Sequence, residues 1–146
     1  MIKIFTIGFT KKKAKYFFDL LKSHDVRSIL DVRLNNVSQL AGFSKKDDLE
    51  YFAKQLCDAS YNHVKELAPT KDILDDYKKK RTSWQTYERQ FNELLAERKI
   101  EEKLDPQLIH DGCLLCSEDK PHFCHRRLVA DYLSEKWEDV SVTHLE

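Results

Sequence analysis

Short continuous apolar runs alternate along the chain with stretches whose apolar residues recur at helical spacing. Ile2 to Ile7 is an apolar run that stops at Gly8, which is the pattern of a buried strand. Thr10 is placed to cap a helix with Phe17, Phe18, Leu20 and Leu21 on its apolar side. Val26 to Val32 reads as the second strand, with Ile29, Leu30 and Val32 inward and with Asp31 and Arg33 at its end. Strand, helix and strand within about 30 residues make a βαβ unit, so the two strands are expected to be parallel.

Residues 34–43 form a polar loop, and Ser44 then caps a helix to about Cys57 with Leu49, Phe52, Ala53 and Leu56 inward. Tyr61 to Val64 is a short strand. Pro69 and Thr70 open a charged helical stretch to about Lys80. Ser83 caps a longer helix through Arg98, with Trp84, Tyr87, Phe91, Leu94 and Leu95 on one side. Gly112 to Cys116 is another buried strand, followed by a loop over 117–123. A helix from about Cys124 to Lys136 turns Leu128, Val129, Tyr132 and Leu133 inward, and Val140 to His144 alternates as a last strand. The sequence contains no repeat, linker or low-complexity segment. The pattern predicts one α/β domain over residues 1–146, a three-layer, Rossmann-like fold whose mostly parallel sheet is covered by helices on both sides. It does not fix the strand order.

The 146 residues suit one domain with a real core. Hydrophobic residues are 41% and charged residues 34%, which places the chain among globular proteins rather than disordered ones. The formal net charge is +0, so nucleic acid or an anionic membrane would have to be held by a local patch. No run approaches the ~18 apolar residues of a membrane span, and the N-terminal run lacks the layout of a signal peptide. A cytoplasmic location is expected, with Cys57, Cys113, Cys116 and Cys124 as reduced thiols. The run Lys78 to Arg81 reads as a solvated face.

In a sheet of this kind ligands sit outside the carboxyl ends of the strands. That rule gathers Gly8 to Thr10, Asp31 to Asn36 and Cys116 to Arg127 into one region. Cys116 and Glu118 follow a buried strand, while Cys124, His125 and Arg126 open a helix, where free backbone N–H groups favour an anion. Arg126 or Arg127 could add a charge-assisted fork to the same anion. The alternative is that Glu118 simply pairs with one of them and fixes the loop. Arg33 is expected to point into the site, or else Asp31 and Arg33 form a structural pair with a neighbouring loop. Cys116 or Cys124 could serve as a nucleophile with His125 as base, but spacing does not show whether thiol and imidazole face one another. His63, at the end of a strand on the same edge, could join them.

A closed four-ligand zinc site is not expected. Residues 113 and 116 are three apart on a strand and so point to opposite faces. Cys113 and Cys57 read as small buried hydrophobes. A weaker-binding, open metal site using Cys116, Glu118 and His125 is the metal reading preferred to the closed one.

The motifs Thr6-Ile7-Gly8, Leu30-Asp31-Val32-Arg33 and Leu115-Cys116-Ser117-Glu118, with Cys124-His125-Arg126-Arg127 downstream, resemble the family catalogued as domain of unknown function 488. The resemblance runs over nearly the whole chain. Residues 35–49 and Glu66-Leu67-Ala68-Pro69-Thr70 are similar to one subgroup of it. It implies a small prokaryotic-type α/β protein with a site shared by these motifs, and it implies no activity. Many members carry His-Ser after the first glycine. Phe9 and Thr10 stand there in this chain, so a histidine role at that place does not carry over.

Three functional readings follow. The first is an enzyme or ligand-binding domain for a small anionic, phosphorylated or nucleotide-like compound. Arg33, Cys124, Arg126 and Arg127 would bind the anion, and Cys116, Glu118 and His125 would supply the chemistry. The second is a nucleic-acid-associated module using Lys11 to Lys13, Lys45, Lys46 and Lys78 to Arg81, disfavoured by the charge balance. The third is a metal-binding regulatory protein using Cys116, Glu118, Cys124 and His125. The sequence names no cofactor and no oligomeric state.

Overall fold

A computed structural model describes residues 1–36, 42–118 and 120–146. The elements run β1 (Ile2–Gly8), α1 (Ala14–Ser23), β2 (Ser28–Asp31), α2 (Lys46–Cys57), β3 (Ser60–His63), α3 (Lys71–Lys78), α4 (Trp84–Glu97), α5 (Ile100–Lys103), α6 (Pro106–Ile109), β4 (Gly112–Cys116), α7 (His125–Lys136) and β5 (Val140–Leu145). The five strands form one sheet in the order β3-β2-β4-β1-β5, and every pairing is parallel.

The apolar runs are strands because both of their faces are buried, so no polar alternation is needed. Ile4, Leu30, Val32, Leu114 and Cys116 face one layer, against Phe91 and Leu95 of α4 and Leu128, Val129 and Leu133 of α7. Phe5, Ile7, Ile29, Cys113 and Leu115 face the other, against Phe17, Phe18 and Leu21 of α1 and Leu49 and Ala53 of α2. The three-layer α/β architecture is therefore the one expected, with a sheet that is wholly parallel. Cys113 and Cys116 do lie in opposite layers.

Several local expectations need correction. Helix α1 begins after Lys13 rather than at Thr10, and α2 after Lys45; neither has a side-chain cap. Ser44 is buried in a short 3-10 turn, Gly42–Ser44, and Leu56 is half exposed rather than inward. The caps at Thr70 and Ser83 form as expected, with Thr70 accepting from Ile73 N–H and Ser83 from Thr86 N–H. Helices α5 and α6 were not anticipated. The loop expected over 34–43 falls partly outside the described residues.

The topology creates the site. From β1 the chain leaves through α1 toward β2, and from β4 it leaves through α7 toward β5, on the opposite layer. Adjacent strands whose connections depart in opposite directions open a crevice at their carboxyl ends.

Candidate functional site

A cavity of about 240 Å³ occupies that crevice. Arg33, Cys116, Glu118, Cys124 and His125 all line it, so the structure brings five of the seven expected site residues together. The other two, Arg126 and Arg127, are placed differently.

Arg33 follows β2 and lies across the ring of Phe9, 5.2 Å from its centroid. Its Nε and Nη2 donate to the two carboxylate oxygens of Asp31 at 2.9 and 2.7 Å, and Nη2 also donates to the Ser44 carbonyl at 2.7 Å. Tyr61 donates its hydroxyl to the same carboxylate. Burial, then the hydrogen bond to Asp31 and its negative charge, keep the Tyr61 hydroxyl protonated, its pKa driven far up. Asp31 is fully buried, and the Arg33 side chain is 6% exposed. Both sequence readings of Arg33 thus hold at once: it is half of a buried pair, and it reaches the cavity. Its Nη1 is buried with no hydrogen-bond partner among the described residues.

The cysteines correct the expectation of four free thiols: Cys116 and Cys124 are joined in a disulfide, while Cys57 and Cys113 are free. The end of β4 and the residue before α7 meet across the 117–123 loop, a proximity that eight residues of separation do not reveal. His125 adjoins the pair. Its Nε2 donates to the Val32 carbonyl at 2.6 Å, which places the lone pair on Nδ1. Burial, chiefly, pushes its pKa down to about 4, so the ring is neutral at pH 7. A neutral imidazole of fixed tautomer accepts a proton or a metal at Nδ1. One ring nitrogen and the two sulfurs lie within 4.8 Å of one another, and Glu118 lies outside this cluster.

Arg126 is fully buried behind the cavity wall. Its Nε donates to Thr6 Oγ1 at 3.3 Å, and its Nη1 to Cys116 Sγ at 3.2 Å and to the Glu118 carbonyl. The alternative reading pairs the Glu118 carboxylate with Arg126 or Arg127; Arg126 instead donates to the Glu118 backbone carbonyl. Thr6 Oγ1 also hydrogen-bonds His144 Nδ1 at 2.6 Å. Burial and the Arg126 charge hold the His144 pKa below its usual value. Gly8 permits this knot: a Cβ there would stand 1.6 Å from the Glu118 carbonyl oxygen. Arg127 turns outward to Glu88 and Asp131 and lies 6.0 Å from the Trp84 ring centroid. His63 donates to the Arg33 carbonyl and is not a cavity residue.

The opposite wall was not foreseen. Tyr77 and Lys78 of α3 and Trp84 and Tyr87 of α4 line the cavity with Phe123. Trp84 stacks on Tyr87 with centroids 5.2 Å apart and meets Phe123 edge-on at 5.4 Å. Trp84 and Tyr87 were read only as a core stripe, and Lys78 as part of a solvated run; it is solvated, and it also borders the cavity. The usable signal was Phe123, a large aromatic in the loop beside Cys124, which is 62% exposed.

Among the described residues no helix is long and apolar enough to cross a membrane. The family described as "Domain of unknown function DUF488" matches residues 13–133. No curated protein and no solved structure matches the chain.

Proposed function

The chain belongs to the DUF488 family, whose description names no activity, and from the geometry of its site we propose that it binds a small anion carrying a planar ring, a nucleotide-like or phosphorylated aromatic compound. The observation that carries this reading is Arg33, a nearly buried guanidinium that lines the cavity and whose Nη1 has no acceptor among the described residues. Leaving such a donor unpaired costs about 1–3 kcal/mol, which a bound anion would recover. The rings of Tyr77, Trp84 and Phe123 suit a flat partner, and Lys78 adds positive charge at the margin. The 240 Å³ volume lies just below the roughly 300–1,000 Å³ of small-molecule sites, which favours one ring with one anionic group over a dinucleotide. Glu118 and His125 would exchange a proton with that ligand. Cys116 would act as nucleophile only after its bond to Cys124 is reduced. Arg126 receives no ligand contact in this reading, because it is fully buried.

The test is Trp84 fluorescence, with Trp84→Phe as the control for the signal. Nucleoside monophosphates are expected to quench saturably and more tightly than the matching nucleosides or inorganic phosphate. Removing Arg33 alone would strand Asp31, so the informative variant is the double Asp31→Asn, Arg33→Gln. It should weaken binding at least about tenfold, from the ~1.5–3 kcal/mol of a charged hydrogen bond. The reading fails if no ring-bearing anion quenches saturably, or if the double variant binds as well as the wild type.

A further inference from the structure

We infer that the reduced chain holds a single zinc-class ion at Cys116, Cys124 and His125, with the fourth coordination position open to the aromatic cavity. This does not depend on the anion reading. The three ligand atoms come from the end of β4 and the start of α7 and already lie within 4.8 Å of one another. Zinc with two thiolates at ~2.3 Å and an imidazole at ~2.0 Å needs its ligands about 3.5–3.8 Å apart, so only small side-chain movements are required. The Cα atoms of the two cysteines are 7.4 Å apart, beyond the roughly 4.4–6.8 Å usual for disulfides. That backbone spacing seats the thiolates on either side of one ion.

The surroundings are those of a metal site. His125 Nε2 donates to the Val32 carbonyl, which aligns the ring and leaves Nδ1 to ligate. Arg126 Nη1 donates to Cys116 Sγ, the outer hydrogen bond that ligating sulfurs accept. Cys124 precedes the first turn of α7, where the helix N-terminus favours a thiolate. Cys113 lies in the opposite layer, and among the described residues the donors gathered here are Cys116, Cys124 and His125. Three protein ligands and a position facing a cavity are the arrangement of zinc that activates a bound water or polarises a ligand, rather than of a structural zinc.

The ion-binding form arises from the disulfide in a balanced step. A phosphine reductant takes up the oxygen of one water as it reduces the S–S bond to two thiols. The metal ion then displaces the two thiol protons. Oxidation by a disulfide of low molecular mass reverses this, rebuilding the S–S bond and releasing the ion.

The experiment is cobalt(II) titration of the full chain, before and after phosphine reduction, followed by zinc competition. The expected result is a sulfur-to-cobalt charge-transfer band that saturates at one equivalent only after reduction and is lost when zinc is added. The band should vanish in Cys116→Ser and Cys124→Ser, change position in His125→Gln, and persist in Cys57→Ser and Cys113→Ser. Circular dichroism and melting of the metal-free variants report on folding. Adding azide should shift the cobalt visible bands if the fourth position is open. Absence of the band in reduced wild type, or its persistence in Cys116→Ser, overturns the site. An azide-insensitive spectrum overturns the open position. Nucleotide quenching of the unreduced protein is read separately, so failure of one proposal leaves the other standing.

Discussion

The chain has three glycines, and the structure leaves a different amount of room for a side chain at each. A Cβ at Gly8 would meet the Glu118 carbonyl oxygen at 1.6 Å, its carbon at 2.5 Å and Arg126 Nη1 at 2.9 Å. The obstacle is backbone, so the segment after β4 must move by more than an ångström and release the Arg126 hydrogen bond. Overpacking costs about 1–3 kcal/mol and the charged hydrogen bond about 1.5–3, so Gly8→Ala should lose roughly 3–6 kcal/mol. At Gly112 a Cβ meets Leu30 Cδ1 at 2.7 Å and the Ile109 carbonyl oxygen at 2.8 Å. The leucine tip can give and the carbonyl less so, which puts Gly112→Ala at about 1–3 kcal/mol. At Gly42 a Cβ meets nothing within 4 Å, and alanine should be neutral or stabilise by about 0.4–1 kcal/mol through the unfolded chain. Urea unfolding at pH 7, followed by circular dichroism, reads all three on one scale. The reasoning is refuted if Gly8→Ala lies within 1 kcal/mol of wild type, or if Gly42→Ala is the most damaging of the three.

A neutral His125 with its pKa near 4 against about 6.5 when unfolded makes the unfolded chain bind the extra proton first. The metal-free disulfide form should therefore hold full stability from this group above pH 6.5, and lose on the order of 3 kcal/mol as pH falls toward 4. His125→Gln should flatten that slope in urea titrations, and an unchanged slope would count against the burial argument. Tyr61→Phe removes one donor from the buried Asp31 carboxylate and should cost about 1.5–3 kcal/mol by the same assay; a neutral result would mean Arg33 alone satisfies it. Arg33→Gln alone leaves Asp31 charged and buried and should cost about 3–5 kcal/mol, whereas the double Asp31→Asn, Arg33→Gln should recover part of that; equal losses would refute the pairing.

The strands were legible because β1, β2 and β4 are apolar on both faces, which needs no knowledge of partners. The caps at Thr10 and Ser44 were misread because a hydroxyl near a helix start is a local cue, while α1 and α2 begin at Ala14 and Lys46, about one turn before their first buried residues, Phe17 and Leu49. Helices α5 and α6 are four residues each, too short for periodicity to register. At the site, strand ends and the opening of α7 could be placed by topology alone, so Arg33, Cys116, Glu118, Cys124 and His125 were named in advance. Arg126 and Arg127 sit next to each other in sequence, but successive side chains on a helix point about 100° apart, and here one is buried and the other partly exposed. The pairing of Cys116 with Cys124 and the approach of α3 and α4 over the cavity are tertiary facts without a local signature.

The position of β4 has a consequence for how the protein is made. β1 and β2 are consecutive in sequence yet do not pair; β4 lies between them and pairs with both. During synthesis the pair β2 and β3 has its partners early, while β1 waits with both edges bare for more than a hundred residues. Bare edges invite pairing with another chain. A nascent or truncated chain ending near residue 111 should hold two unjoined pieces of sheet and aggregate, and release of the last 35 residues should convert it to the native state in one concerted step. The strand that ends at the cavity is thus also the keystone, and the protein gains that cavity only at the moment its fold closes.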